Sequence, residues 1–299
     1  MEHRILVETK NLKKYFHTKH HSTVKAVDDV SFHMHCGEIL SLIGESGSGK
    51  STVARCIMDI CRPSSGEIIY DGLDITDRKV RRQNSERLRR EIQMVFQDTA
   101  SSLDPRMNIE QIVTEPLYIN KMGKNRAGRR ELAEKQLCAV GLDGSFLAKY
   151  PSEISGGQRQ RAAIARALCM SPRLVIADEP ISSLDVSIQA QIINLFKTLH
   201  GEHGFSFLLI AHDLSMAKFI SDRVAVMCRG RIVEIGPAKE VCENPLHQYT
   251  KALVSSVPVP DPAVERHKKT EVFTDYEAIG RGTLELVTAD HWVMKEEAK

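Results

Sequence analysis

The sequence predicts an α/β fold with a parallel β-sheet and crossover helices, and three observations carry that prediction. The apolar run Ile39-Leu40-Ser41-Leu42-Ile43 leads directly into Gly44-Glu45-Ser46-Gly47-Ser48-Gly49-Lys50-Ser51, after which Val53, Ala54, Ile57 and Met58 recur at helical spacing. Two later runs, Leu174-Val175-Ile176-Ala177 and Phe207-Leu208-Leu209-Ile210, are apolar throughout, as strands buried on both faces are, with a helix beginning between them near Val186. The first of these runs ends in Asp178-Glu179-Pro180, which puts two carboxylates at the end of a strand, where open α/β sheets gather ligands.

The elements follow in order. Leu6-Val7-Glu8, Val24-Lys25-Ala26-Val27 and Val30-Ser31-Phe32-His33-Met34 read as antiparallel strands joined by a polar loop over 17–23. His17, His20 and His21 in that loop have no cysteine partner and read as exposed residues rather than a metal site. After the first helix, Pro63-Ser64-Ser65-Gly66 makes a break, and Glu67-Ile68-Ile69-Tyr70 with Asp71-Gly72 reads as a strand and tight turn. The basic stretch from Arg78 to Arg90 is interrupted by Glu86 and reads as a solvated helix face leading to the strand Ile92-Gln93-Met94-Val95-Phe96. Residues 106–170 are helical in pattern, with breaks expected at Gly123, Gly128, Gly141 and Gly144. Ala225-Val226-Met227 and Ile232-Val233-Glu234-Ile235 flank Arg229-Gly230 as a hairpin. A Pro-rich, then charged, stretch over 257–270 reads as a linker to a small terminal piece. That piece has strand-like alternation at Leu284-Glu285-Leu286 and His291-Trp292-Val293-Met294, with Trp292 as a packing anchor. One domain is therefore expected over 4–255, its helical part at about 100–168, followed by a linker and extension over 256–299.

Bulk properties narrow the class. At 299 residues, 42% apolar and 27% charged, with a formal net charge of +2, the chain has an ordinary globular composition and no basic excess that would call for nucleic acid. No apolar run reaches the ~18 residues of a membrane span, and the N-terminus lacks the layout of a secretory signal. The seven cysteines are scattered and never form a CxxC pair, so reduced thiols are expected rather than a disulfide framework or a zinc site.

Residues 44–51 fit the phosphate-cradling pattern GxxxxGK[ST], here in its proper strand–loop–helix context. Glycines let backbone N–H groups turn toward an anion, and the helix N-terminus adds the positive end of its dipole. Lys50 supplies a point charge to the β/γ-phosphates, and Ser51 offers its hydroxyl to Mg²⁺. The nucleotide-binding set is Gly44, Glu45, Ser46, Gly47, Ser48, Gly49, Lys50, Ser51 and Thr52. Asp178 is placed to hold Mg²⁺ and Glu179 to polarise an attacking water. Ser155, Gly156, Gly157 and Gln158 open a further helix and form a second phosphate-binding element, which one nucleotide does not need; it is expected to serve the nucleotide of another subunit.

Taken together, residues 44–51, Gln97, Ile154-Ser155-Gly156-Gly157-Gln158, Asp178-Glu179, Ser183-Leu184-Asp185 and His212 resemble, in order and spacing, the motifs of an ATP-binding-cassette (ABC) transporter ATPase over about 4–250. Ile154 departs from the family's usual leucine, an apolar exchange. The resemblance implies a RecA-like core with an antiparallel β subdomain and a helical signature subdomain. It further implies that Tyr15, in Lys13-Lys14-Tyr15-Phe16, stacks on adenine, with Phe16 as the alternative. Gln97 is then a ligand of Mg²⁺ or the attacking water, His212 touches the γ-phosphate, Ser155 and Gly157 reach the γ-phosphate held by the opposing subunit, and Asp185 lies at the dimer interface.

The stretch from Met94 to Met107 and the run Asn244-Pro245-Leu246-His247-Gln248-Tyr249-Thr250-Lys251-Ala252-Leu253 resemble the oligopeptide/dipeptide/nickel importer ATPases, in particular the second of their two ATPase subunits. The implied partners are a second, paralogous ATPase subunit, two integral membrane permease subunits and an external substrate-binding protein, at the cytoplasmic face of the membrane. ATP and Mg²⁺ are the expected cofactors. Many relatives carry a cysteine cluster after this region; no cysteine follows Cys242, so no iron–sulfur cluster is expected. Nickel or another small solute as cargo, and a role as the ATPase of a soluble multi-protein complex, are the alternatives.

Overall fold

Two long strands open the chain, β1 (Ile5–His17) and β2 (Thr23–His35), paired antiparallel. The computed structural model describes residues 4–17, 22–98, 102–123, 125–182, 184–257, 271–277, 279, 282–288 and 290–295. The interruptions that split these strands in the sequence are bulges rather than turns. Asn11 and Asp29 adopt left-handed φ values of 46° and 70°, and the Asn11 side-chain amide donates to Asp29 Oδ1 at 2.9 Å. Short polar side chains that hydrogen-bond locally tolerate this conformation. Each strand therefore continues through its irregularity. His17 is exposed, whereas His20 and His21 lie outside the described residues.

The chain divides into two compact units, Met1–Val80 with Leu209–Lys299, and Arg81–Leu208. In the first, β1 and β2 join β4 (Ser65–Tyr70) and β5 (Leu73–Asp74) in a four-stranded sheet of order β2-β1-β4-β5. A second sheet contains β3 (Ile39–Ile43), β9 (Arg223–Cys228), β10 (Arg231–Pro237), β12 (His291–Lys295) and β11 (Thr283–Thr288), in the order β11-β12-β10-β9-β3. β3 and β9 run parallel and every one of their residues is buried, which is why each reads as a mainly apolar run. The polar member of β3, Ser41, meets the Ser221 hydroxyl at 2.5 Å. The hairpin expected around Arg229-Gly230 is β9–β10. The terminal strands extend that sheet: β12 pairs with β10 and buries Val293 and Met294, while Trp292 is half-buried.

Helix α1 (Lys50–Ile57) ends in a Schellman cap, with Asp59 left-handed and Ile60 N–H returning to the Arg55 carbonyl at 2.9 Å. The Cys61 thiol lies 3.5 Å from that of Cys56, whose burial pushes its pKa well up. All seven cysteines are free thiols.

In the second unit, the basic stretch forms α3 (Ser85–Glu91), with only Leu88 buried, preceded by α2 (Arg78–Gln83), which crosses the unit boundary. Next come β6 (Ile92–Val95), α4 (Ile109–Ile119), α5 (Arg126–Ala139), α6 (Gly156–Leu168), β7 (Leu174–Asp178) and α7 (Val186–His203). The caps expected of helix starts are present. Asn108 and Gln111 form a reciprocal capping box on α4, and Asn125 caps α5 by accepting the Gly128 N–H at 2.8 Å. Gly128 is consequently inside the first turn of α5 and not at a break. Gly123 and Gly141 do mark helix ends, at φ 80° and 76°. β6 and β7 are parallel, and β8 (Ser206–Ala211), which crosses the unit boundary, neighbours β7 at its beginning.

The remaining elements of the first unit are α8 (Leu214–Ile220), α9 (Ala238–Glu243) and α10 (Gln248–Ser256). Glu234 of β10 is fully buried and accepts the N–H groups of Leu246 and His247 at 2.9 and 3.0 Å, while its Oε1 lies 2.8 Å from His291 Nε2. His247 caps α10 by accepting the Tyr249 N–H on Nδ1 at 3.1 Å. Burial holds the His247 pKa below its usual value, against an opposing pull from Glu234. The unfolded chain therefore takes up this proton first as pH falls through ~6.5. Stability present at neutral pH is then lost toward acid. The melting temperature should fall between about pH 7 and pH 5, and His247→Asn, which keeps a cap but cannot titrate, should give a measurably shallower profile.

Candidate active site

The phosphate loop is wedged between two strands of its own unit. A Cβ on Gly49 (φ 107°) would lie 2.1 Å from the Ala26 carbonyl oxygen, and one on Gly44 (φ 153°) 2.1 Å from that of Met227. Both obstacles are backbone and cannot swing away, so only glycine fits. The loop is tied at its far side as well. Gly230 N–H donates to the Ser48 carbonyl at 2.9 Å, Asp28 N–H donates to the Gly230 carbonyl at 2.7 Å, and Ser48 N–H closes the turn onto the Glu45 carbonyl at 3.2 Å.

This geometry leaves the start of α1 without a side-chain cap, because Gly49 is its N-cap residue. Its first-turn N–H groups and Lys50 are therefore presented to an anion. The buried Lys50 ammonium donates to the carbonyls of Gly44 at 2.7 Å and Glu45 at 2.8 Å, which holds the charge over the loop. Ser51 and Thr52 occupy the first turn of α1. The residues present fit a triphosphate.

His212 follows β8 directly and is exposed, and Asp213 beside it caps α8 through the Ser215 N–H at 2.7 Å. β8 neighbours β3, the strand that feeds the phosphate loop. Tyr15 is half-buried, and its hydroxyl donates to Asp28 Oδ1. That hydrogen bond, with burial, pushes the phenol pKa up to about 12. Asp28 is also within 3.5 Å of Lys25 Nζ and 3.7 Å of Arg231 Nε. Phe16, the alternative stacking residue, is exposed and has the Lys14 ammonium 4.9 Å above its ring.

In the second unit the parallel register of β6 and β7 sets Val95 opposite Ala177. Two residues further along each strand, Gln97 and Glu179 meet, and the Gln97 amide donates to Glu179 Oε2 at 3.1 Å. Asp178, the last residue of β7, is buried. Glu179 leaves the strand in a left-handed conformation, φ 46°, which for a residue with a Cβ costs on the order of 1 kcal/mol. Among the described residues no group of three or more His, Cys, Asp or Glu could hold a metal ion alone. A Mg²⁺ site uses one or two side-chain oxygens plus phosphate oxygens; Ser51, on α1, carries a hydroxyl, and Asp178, at the end of β7, a carboxylate.

The Ser155 hydroxyl accepts Gln158 N–H at 3.3 Å, and Gln158 Oε1 accepts Ser155 N–H at 2.9 Å, a reciprocal capping box on α6. The hydroxyl proton of Ser155 is not consumed by accepting that bond and remains a donor. Arg159 donates to the carbonyls of Ile154 at 2.7 Å and Pro151 at 3.1 Å, which fixes the approach to the cap. A Cβ on Gly157 would come within 2.8 Å of Ile188 Cγ2, so this glycine lets the start of α7 pack against the signature helix. Asp185, the N-cap residue of α7, is exposed; Ser183 before it lies outside the described residues.

Comparison with known proteins agrees with this geometry. Residues 27–182 match the ABC transporter family, and residues 233–282 match the oligopeptide/dipeptide transporter C-terminal region. This chain belongs to the ABC transporter family. It is an ABC-type ATPase with the fold of an ABC cassette. It is 47% identical to the oligopeptide transport ATP-binding protein OppF of Bacillus subtilis (strain 168), over 98% of this chain and 97% of that protein. It is 46% identical to the oligopeptide transport ATP-binding protein AmiF of Streptococcus pneumoniae serotype 4, over 98% and 96%. Among solved structures, the ATP-binding cassette MJ0796, a dimer in a post-hydrolysis state bound to ADP and Pi, superposes with a TM-score of 0.70 at 30% identity, covering 78% of this chain and 99% of that one.

The sequence reading of the ABC motifs gave no role to Tyr249, whose hydroxyl accepts the Glu45 N–H at 3.2 Å, or to Asp28, which engages Tyr15. Tyr249 lies in the run over 244–253 that resembles the importer ATPases, but only the fold brings each residue to its partner. Gly49→Ala should lower the unfolding free energy by at least about 2 kcal/mol in denaturant titration, because its new methyl group meets a carbonyl that cannot move.

Proposed function

We propose that this chain is the ATP-hydrolysing subunit of an importer for oligopeptides, acting at the cytoplasmic face of the membrane. The observation that carries the hydrolytic part is Glu179, whose carboxylate accepts from the Gln97 amide and whose backbone adopts a conformation that costs a glutamate energy. The cargo is supported by the names of the relatives and by the C-terminal region match. Within the described residues no helix is long and apolar enough to cross a membrane, so the translocation path belongs to partner subunits: two permeases, supplied by an external binding protein. A second ATPase subunit, a paralogue, completes the pair. The 4–255 region is the cassette and 256–299 its extension.

The roles follow from the side chains. Gly44, Ser46, Gly47, Ser48 and Gly49 shape the amide cradle, with Glu45, Ser51 and Thr52 flanking it, and Lys50 neutralises the β/γ-phosphates. Tyr15 offers the half-buried face of its ring to adenine. The Ser51 hydroxyl, Asp178 and Gln97 would be the groups for Mg²⁺, which would supply charge neutralisation on the phosphates. Glu179 accepts a proton from the attacking water, and His212 donates to the γ-phosphate. Ser155, Gly156, Gly157 and Gln158 present the Ser155 hydroxyl and the start of α6 to the γ-phosphate bound by the partner, with Asp185 at the same interface. A group supplied in trans to a transferring phosphoryl is worth about 10³–10⁵ in rate in other NTPases. ATP therefore favours the closed dimer, and hydrolysis removes the contact that holds it.

Glu179→Gln should lower ATP turnover by about 10²–10⁴ while the subunit still binds ATP and accumulates as a closed pair in size-exclusion chromatography; unaltered hydrolysis would remove Glu179 from the role of base. Lys50→Ala should abolish turnover. Ser155→Arg should leave ATP binding to the isolated chain intact and block hydrolysis in the assembled transporter. Loss of binding by the isolated chain would contradict the assignment in trans. Uptake of labelled peptides, but not of nickel ions, into vesicles carrying the full assembly tests the cargo.

A further inference from the structure

The C-terminal region touches the phosphate loop through Tyr249, and the hairpin after β9 touches it through Gly230; both contacts lead back to one aromatic cluster. Tyr249, in the first turn of α10, is 2% exposed. Its hydroxyl accepts the Glu45 N–H at 3.2 Å and hydrogen-bonds the thiol of Cys228. Its ring meets that of Phe273 edge-on, with centroids 5.6 Å apart. Phe273 also packs on His247 at 6.0 Å and edge-on against Tyr276 at 5.0 Å. The Tyr276 ring lies under the Arg229 guanidinium, 4.3 Å from its centroid. The next residue, Gly230, donates its N–H to the Ser48 carbonyl. One arm of the cluster thus ends on Glu45 and the other on Ser48, the two ends of the turn that shapes the cradle.

We propose that residues 271–277 brace the phosphate loop through this cluster, with Tyr249 as a positioning residue for nucleotide binding. The inference rests on the assignment of residues 44–52 as the triphosphate site. A cradle whose amides are already oriented spends less of its binding free energy on ordering when the anion arrives. The Tyr249 hydroxyl fixes the peptide plane ahead of Glu45, and the Arg229–Tyr276 contact steadies the hairpin that fixes Ser48. Among the described residues the brace is held by ring contacts and by the Glu271 N–H, which donates to Ser255 Oγ at 2.9 Å. By linkage, whatever lifts residues 271–277 from Tyr249 weakens nucleotide binding, and bound nucleotide tightens their attachment by the same factor.

The test uses the full chain, a fluorescent ATP analogue and amide hydrogen exchange read without nucleotide. Tyr249→Phe keeps the ring and removes only the hydroxyl; it should weaken analogue binding about three- to tenfold, the scale of one hydrogen bond, and raise KM for ATP with kcat within about twofold. Phe273→Ala, which leaves Tyr249 intact, should shift binding in the same direction. In both variants exchange should quicken in the peptide covering the loop and not in β7 or α6. Wild-type binding and wild-type loop exchange in both variants would overturn the brace, as would faster exchange spread evenly through the chain, the mark of a merely structural role. Because exchange is read without nucleotide, it judges the brace independently; failure of the wild-type chain to bind the analogue would count against the nucleotide site instead.

Discussion

Everything at the nucleotide-binding end depends on a backbone squeezed between two carbonyls. Ala26 and Met227 approach the positions where Gly49 and Gly44 would carry a Cβ so closely that no side chain fits. The loop cannot drift toward either strand, and the hydrogen bond from Gly230 keeps it from lifting away. Amide direction, which decides whether an anion is bound, is therefore set by strands β2 and β9 and the hairpin after β9, rather than by the loop's own residues. Glycine is needed here for proximity more than for suppleness.

Much of this was legible in the sequence. Uniformly buried strands such as β3 and β7 announce themselves because apolar residues dominate them. The start of α6 was visible as a phosphate-binding element, and in space Ser155 and Gln158 close it as a capping box. The misreadings share one cause. Asn11, Asp29 and Gly128 carry turn chemistry, yet the partner strand or cap around each absorbs it within a continuing element. Local preference reports a disturbance in the backbone; only the neighbours decide whether the chain turns, bulges or continues. Long-range partners left no trace at all: nothing about Tyr249 or Asp28 in isolation points to Glu45 or Tyr15.

In the second unit, precision comes from register. Parallel pairing of β6 with β7 makes residues equally far past the paired positions neighbours, so Gln97 and Glu179 meet without any loop having to reach. The signature helix shows a similar economy. Its second glycine accommodates Ile188 of α7, so the segment carrying Asp185 packs closely against the one carrying Ser155. A group meant to act on a neighbouring subunit's nucleotide benefits from such a rigid mount.

The left-handed turn at Glu179 sets evolution a dilemma. Glycine or asparagine would suit that backbone better, and either exchange would make the folded chain more robust. A lineage selected only for durability would drift toward an inert cassette, intact in shape and able to hold its fuel without burning it. On the proposed role of Glu179 as the base, the awkward backbone is what a carboxylate at that position entails.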